Sequence, residues 1–405
     1  MPSSIFSSED AVVSAQGPNA HHGPMSPGLR LTASDRPGIA QPVPERDVPP
    51  LPWLKMLAIA VVLVLALTAL WEWRSRALGY EAGDLGTDPS AWAEQWHRLA
   101  SENPPAVIVG DSRILFDTDL DRFQKMTGVR PVQLGLEGTN AEPVLKMVAD
   151  SQYKGLVIVG IADQSYFRDS IGIGETSMKA AKWESPSARL SSQLYRGLRR
   201  QLAMLDDDNK FSNTVGKLDH GWVPGARGPY DDVWKLGRTH DDRQFSLWTE
   251  VERNGFVRAH AIRMWMIIFH ILKPDAKVIA HTLAKTRADV AAIRARGGEV
   301  VFVRPPSAPA LRAVEDSLLP RAKGWAPLLK AANVRGVHAD DLPAIKGIAI
   351  PELSHISAAC QGVFTDAYVR ALTALTPRLR LRADAPPPLT SANCPKWIET
   401  TPPRQ

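Results

Sequence analysis

Cysteine is scarce. Only Cys360 and Cys394 occur in 405 residues, too few for a zinc site of the usual ligand spacing. A disulfide between them stays open and would call for an oxidising compartment. One-sided charge is lacking too. The net charge is +5 with no concentrated basic patch, which argues against a nucleic-acid partner. Residues 1–50 lack any apolar period and are rich in Ser, Pro, Gly and Ala, the composition of a disordered tail. Long apolar runs are missing as well, with one exception.

That exception is "LPWLKMLAIAVVLVLALTALWEWRSR". From Met56 to Leu70 every residue but Thr68 is apolar, and with its flanks the run reaches the ~20 residues that cross a bilayer as a helix. Trp53 before it and Trp71 and Trp73 after it suit the interfacial belt. A buried core helix is the alternative, but core helices rarely stay apolar all round for four turns. The run starts far from Met1 and is followed by bulky residues, so it reads as an uncleaved anchor, not a signal peptide. Basic residues flank it on both sides, so charge leaves its orientation unset. A short tail inside and a large domain outside is the expected arrangement. The boundaries are a tail over 1–50, a membrane helix over 51–73, a domain over 74–376 and a Pro-rich tail over 377–405.

The domain reads as α/β with a parallel sheet. "DPSAWAEQWHRLASENPP" opens a helix at Asp88 or Ser90. An apolar strand over 106–109 precedes a helix on "DLDRFQKMTG". A strand on "PVQLGL", a helix over 141–152 and a strand on "GLVIVGI" follow. The rhythm breaks over about 165–255, read as a mostly helical and irregular insertion. A core-facing helix spans 256–272. Then come the helix "TLAKTRADVAAIRARG", the strand "EVVFVRPP", a small strand near "VRGVH" and a last helix over 357–375.

In a parallel sheet, ligands bind beyond the carboxyl ends of the strands. The first strand ends in Gly110-Asp111-Ser112-Arg113, the second in "GLEGTNAEP" and the third in "GIADQSYF". Before the last helix stands "PELSHIS". Ser112, His355 and Glu352 supply a nucleophile, a base and an acid that orients the base. Taken alone, Ser112 also fits a turn or cap, and His355 a satisfied cap. Asp111 reads as a turn residue bonding loop N–H groups. Arg113 is placed to meet Asp163 or a substrate carboxylate. Trp222, Tyr230, Trp234 and Trp248 read as core of the insertion, with stacking on sugar rings as the alternative. His338, Asp340 and Asp341 read as a solvated loop. "RGLRRQ" reads as a solvated helix face, with a membrane-surface contact as the alternative.

The order and spacing of these motifs resemble the SGNH, or GDSL, hydrolase superfamily, over roughly residues 100–375 without the insertion. The resemblance implies a flavodoxin-like three-layer domain with Ser112 as nucleophile, Gly138 as an oxyanion donor, and Glu352-Leu353-Ser354-His355 as the acid-x-x-His motif. Two departures stand out. Ala162 replaces the oxyanion asparagine, a donor worth about 3 kcal/mol of transition-state stabilisation in enzyme precedents; Asn140 on the neighbouring loop is the candidate substitute. Glu352 replaces aspartate, a milder change.

An anchor plus such a domain is similar to membrane-anchored exopolysaccharide O-acetylation proteins of the alginate type. That likeness implies acyl transfer or ester hydrolysis on a cell-envelope or secreted polysaccharide, beside a membrane-bound O-acyltransferase. It also implies the inner membrane, a periplasmic domain, and no metal or diffusible cofactor. Two rivals stand beside it. One is an inactive scaffold binding glycan or the acyltransferase, which Ala162 favours. The other is a lipid or small-ester esterase, which an apolar pocket would favour.

Overall fold

The computed structural model describes residues 50–209, 235–271 and 274–395. It divides into a unit ending at Leu65 and a unit from Ala66 onward. One helix among the described residues, Trp53–Ala77, is long and apolar enough to cross a membrane. Its most apolar 18-residue stretch has no buried residue, unlike a core helix. The helix runs past the expected end at 73, and its last turns belong to the second unit. There Glu72 accepts the backbone N–H groups of Ala203 (3.1 Å) and Met204 (2.9 Å). Ser75 Oγ accepts Asn209 Nδ2 at 2.5 Å.

The second unit is built on five parallel strands: β1 (Ala106–Gly110), β2 (Val132–Gln133), β3 (Leu156–Gly160), β6 (Glu299–Arg304) and β7 (Gly336–His338). A separate antiparallel pair, β4 (Gly237–Thr239) and β5 (Phe245–Leu247), lies in the insertion. The large sheet runs β2-β1-β3-β6-β7, so the winding reverses between β1 and β3 and opens a crevice at their carboxyl ends. Successive side chains of a strand point to opposite faces. Val107, Val109, Val157 and Val159 enter one core, while Ala106, Ile108, Leu156 and Ile158 enter the other. Both faces are covered, which is why these strands read as unbroken apolar runs.

Several elements differ from expectation. The first crossover holds two short helices, Ser112–Asp117 and Leu120–Thr127, because Asp111 and Asp119 each cap a new start. β2 is only two residues, although Leu134 and Leu136 N–H still bond Ile108 and Gly110 C=O across the sheet. The insertion carries helices Glu175–Lys182 and Pro186–Arg199 and the unforeseen β4–β5 hairpin. Trp222, Tyr230 and Trp234 lie outside the described residues. Trp248 is buried, stacked on Tyr80 at 5.4 Å and donating to Gly79 C=O at 3.0 Å, so it is core. His338 is buried, not solvated, its ring edge-on to Trp325. Burial, with Arg304 nearby, holds its pKa down to about 3. Asp340 and Asp341 beside it are exposed and pair with Arg312 and Arg321.

The expected C-terminal tail is laid against the domain as far as residue 395. Leu379 is buried, Arg382 N–H donates to Met126 C=O at 2.8 Å, and Cys394 is disulfide-bonded to Cys360. That bond spans a sequence separation of 34 residues. Replacing both cysteines by serine is expected to cost about 3–4 kcal/mol through the unfolded chain's regained freedom. Denaturant unfolding of the full chain, with and without reductant, reads this, and wild type with reductant should match the double variant.

Candidate active site

The site grows from a close approach. Gly110 and Gly160 face each other in register at the ends of β1 and β3. A Cβ on either would sit 2.1 Å from Ile114, so only glycine lets the helix Ser112–Asp117 start over the sheet. Asp111 caps that helix. One carboxylate oxygen accepts Arg113 N–H at 3.1 Å and the other accepts Ala162 N–H at 3.0 Å, lacing the two strand ends together. Ser112 is then the first helical residue and is half-buried.

His355 arrives from the other end of the chain. Glu352 and His355 are both fully buried, with His355 Nδ1 3.0 Å from Glu352 Oε1. Leu353 between them takes φ +79°, a conformation costing a non-glycine residue roughly 1–2 kcal/mol. The turn brings the Ser354 and His355 N–H groups onto the same Glu352 oxygen. Trp265 Nε1 donates to the other oxygen. The imidazole is packed 4.2 Å from Phe116 and edge-on to Trp265 at 5.5 Å. Its Nε2 is buried with no hydrogen-bond partner.

Ser112 and His355 line one cavity of about 450 Å³, together with Gly138, Ala162, Arg113 and Arg168. Its far wall is apolar, made by Phe116, Leu236 and Met264, Trp265, Ile268 and Phe269 of the helix Gly255–Ile271. No hydrogen bond joins Ser112 to His355. Roomier depressions exist elsewhere, but neither brings a serine and a histidine–carboxylate pair together.

Gly138 is exposed with φ +55° and lines the cavity. Asn140 does not. Its Oδ1 caps the helix Ala141–Asp150 through Glu142 N–H (2.9 Å), and its Nδ2 donates to Arg168 C=O (2.8 Å). The expected oxyanion role therefore does not fall to Asn140; the sequence Asn140-Ala-Glu142 is a helix start. Arg168 was missed. It is half-buried, donates Nη2 to Gly138 C=O at 2.7 Å, leaves Nε buried without a partner, and forms no ion pair among the described residues.

Arg113 does not pair with Asp163. Asp163 lies behind the cavity on Arg304 (3.2 Å). Arg113 bonds Glu315, and its Nε reaches Ser354 Oγ at 3.2 Å. Glu315 also holds Arg304 (2.5 Å) and Ser307 (2.6 Å). Burial alone would raise its pKa, but Arg113 and Arg304 hold it down to about 2. This network joins the ends of β1, β3 and β6 to the histidine turn. The only sequence signal was Arg304 closing the apolar run of "EVVFVRPP".

Asp117 is a further fixture, its carboxylate accepting Ile356 N–H at 2.9 Å beside His355. Burial drives its pKa well up, against the Ile356 bond and Arg113. A carboxyl that binds its proton more tightly when folded stabilises fully below the unfolded pKa, and that contribution is lost as pH rises through the folded one. Asp117→Asn should remove this dependence. From about pH 4 upward, wild type should lose stability relative to the variant, read as urea midpoints over a pH series. Parallel pH profiles would contradict the buried proton.

No family model, no curated protein and no solved structure matches this chain. The site is read from its own geometry.

Proposed function

We propose that this protein is a membrane-anchored, SGNH-like serine acyl-transfer enzyme acting on an ester with an apolar acyl group. One observation carries the reading: a buried His355–Glu352 pair with an unpartnered Nε2, in the same cavity as a helix-opening serine. In the proposed step His355 Nε2 takes the Ser112 proton as Oγ attacks the ester carbonyl. Glu352 stabilises the imidazolium, which then gives that proton to the departing alcohol. The acyl group stays on Ser112 until water or a sugar hydroxyl, deprotonated by His355, removes it. Such hydrogen bonds are often long without substrate and tighten on binding.

The oxyanion falls to the N–H groups of Ser112 and Gly138. Ala162 supplies no side-chain donor, and its N–H is held by Asp111. Arg168, without a carboxylate partner among the described residues, is the remaining cation at the cavity. The apolar wall favours a lipid or small acyl ester as donor. A polysaccharide acceptor, delivered beside a membrane-bound O-acyltransferase, fits an exposed rim at Gly138. The Cys360–Cys394 bond supports an oxidising compartment, hence a domain on the periplasmic side of the inner membrane.

The scaffold reading keeps two observations, Ala162 and the missing Ser112–His355 bond. A fluorophosphonate probe on the full chain separates the two. Covalent labelling of the peptide holding Ser112 is the expected result, while a folded but unlabelled protein would favour the scaffold.

A further inference from the structure

The helix Pro186–Arg199 is turned inside out. Two of its three arginines face the protein, Arg189 near its start being exposed. Arg196 and Arg199 are 7% and 3% exposed. Arg196 bonds Glu94 at 2.9 Å, and Arg199 donates to Asp84 C=O at 3.0 Å and to Asp207 at 2.9 Å. Its leucines face outward, with Leu190, Leu194 and Leu198 at 57%, 64% and 55% exposed. A spacing of four residues puts the three in one stripe. A helix in contact with water on its outer side would place leucine inward and leave arginine in solvent, since burying charge is costly even when it is paired. This sequence does the opposite, so its outer face is written for an apolar medium.

The chain itself indicates which medium. The segment directly after this helix is fastened to the last turns of Trp53–Ala77. Arg76 donates to Gln201 C=O at 3.4 Å, Glu72 accepts the Ala203 and Met204 N–H groups, and Ser75 holds Asn209. Trp73 on those turns is 68% exposed, as at the headgroup level of a bilayer. The leucine stripe is thus tied to the level where a membrane-crossing helix leaves the lipid.

We propose that Leu190, Leu194 and Leu198 insert into the lipid–water interface, as in helices that lie in the plane of a membrane. The proposal rests on reading Trp53–Ala77 as a membrane span. It gives the catalytic domain a second lipid contact beyond the anchor.

Both native cysteines are paired, so an introduced cysteine is the single free thiol. The full chain is reconstituted in phosphatidylethanolamine–phosphatidylglycerol vesicles, with an environment-sensitive fluorophore at Leu63→Cys, Leu194→Cys or Lys346→Cys. Nitroxide lipids, labelled near the headgroup or deep in the acyl chain, act as quenchers. The deep quencher should act at Leu63. The shallow quencher should act at Leu194, several-fold above the exposed control Lys346. Quenching at Leu63 with none at Leu194 would overturn the proposal and point to a protein covering the stripe. No quenching at Leu63 would overturn the membrane span itself.

Discussion

Glu315→Gln is expected to lower the unfolding free energy by about 3–5 kcal/mol, the usual effect of removing one partner from a buried ion pair. Gln keeps the shape and removes only the charge. The two buried guanidiniums, Arg113 and Arg304, then keep one ion-pair partner between them, Asp163 on Arg304. Burial pushes the Asp163 pKa up, against the pull of Arg304, so a single carboxylate does not balance them. A surface control calibrates the loss. Glu102→Gln breaks a pair whose side chains are 40% and 50% exposed and should cost at most about 1 kcal/mol. Denaturant midpoints of the full chain in detergent measure both. Equal midpoints for Glu315→Gln and wild type would mean the network contributes no net charge pairing. Because Arg113 also holds Ser354, the glutamine variant should lower activity even under conditions where it stays folded.

The second large effect concerns Ser112 and His355. Either Ser112→Ala or His355→Ala should slow ester cleavage by at least about 10³-fold, and the double variant little further, because residues acting as one unit are strongly non-additive. Release of nitrophenol from a short-chain nitrophenyl ester by the full chain reads this. Losses that multiply would mean that the two side chains act separately. Activity unchanged in both, with folding intact, would dismiss the serine mechanism and leave the binding role.

Strand runs such as "AVIVG" and "LVIVG" announced a sheet covered on both faces, and those are where β1 and β3 lie. The Glu352–His355 spacing was equally readable, since three residues are enough for one turn to close. Longer-range partners were not. Glu315 sits in an unremarkable amphipathic helix, and nothing near it in sequence says that Arg113 and Arg304 converge there. Asn140 was misassigned because proximity to Gly138 was weighed above its own capping signal two residues before Glu142. Residues 378–395 were misjudged because proline richness marks poor regular structure, which does not prevent a segment from packing. Leu379 and Cys394 pack without helix or strand.

The cavity draws its walls from Asp111 near one end of the domain and His355 near the other, and Cys360, between His355 and the last helix, is tied to Cys394 nearer the C-terminus. During synthesis, then, the chain carries Ser112 for as long as it takes to make more than half of the protein, yet has no His355 to set beside it. Under the proposed mechanism, biogenesis itself would enforce silence. A chain cut short anywhere before residue 355 would be inert, and one released before its thiols are oxidised would lack the Cys360–Cys394 tie that follows the histidine turn.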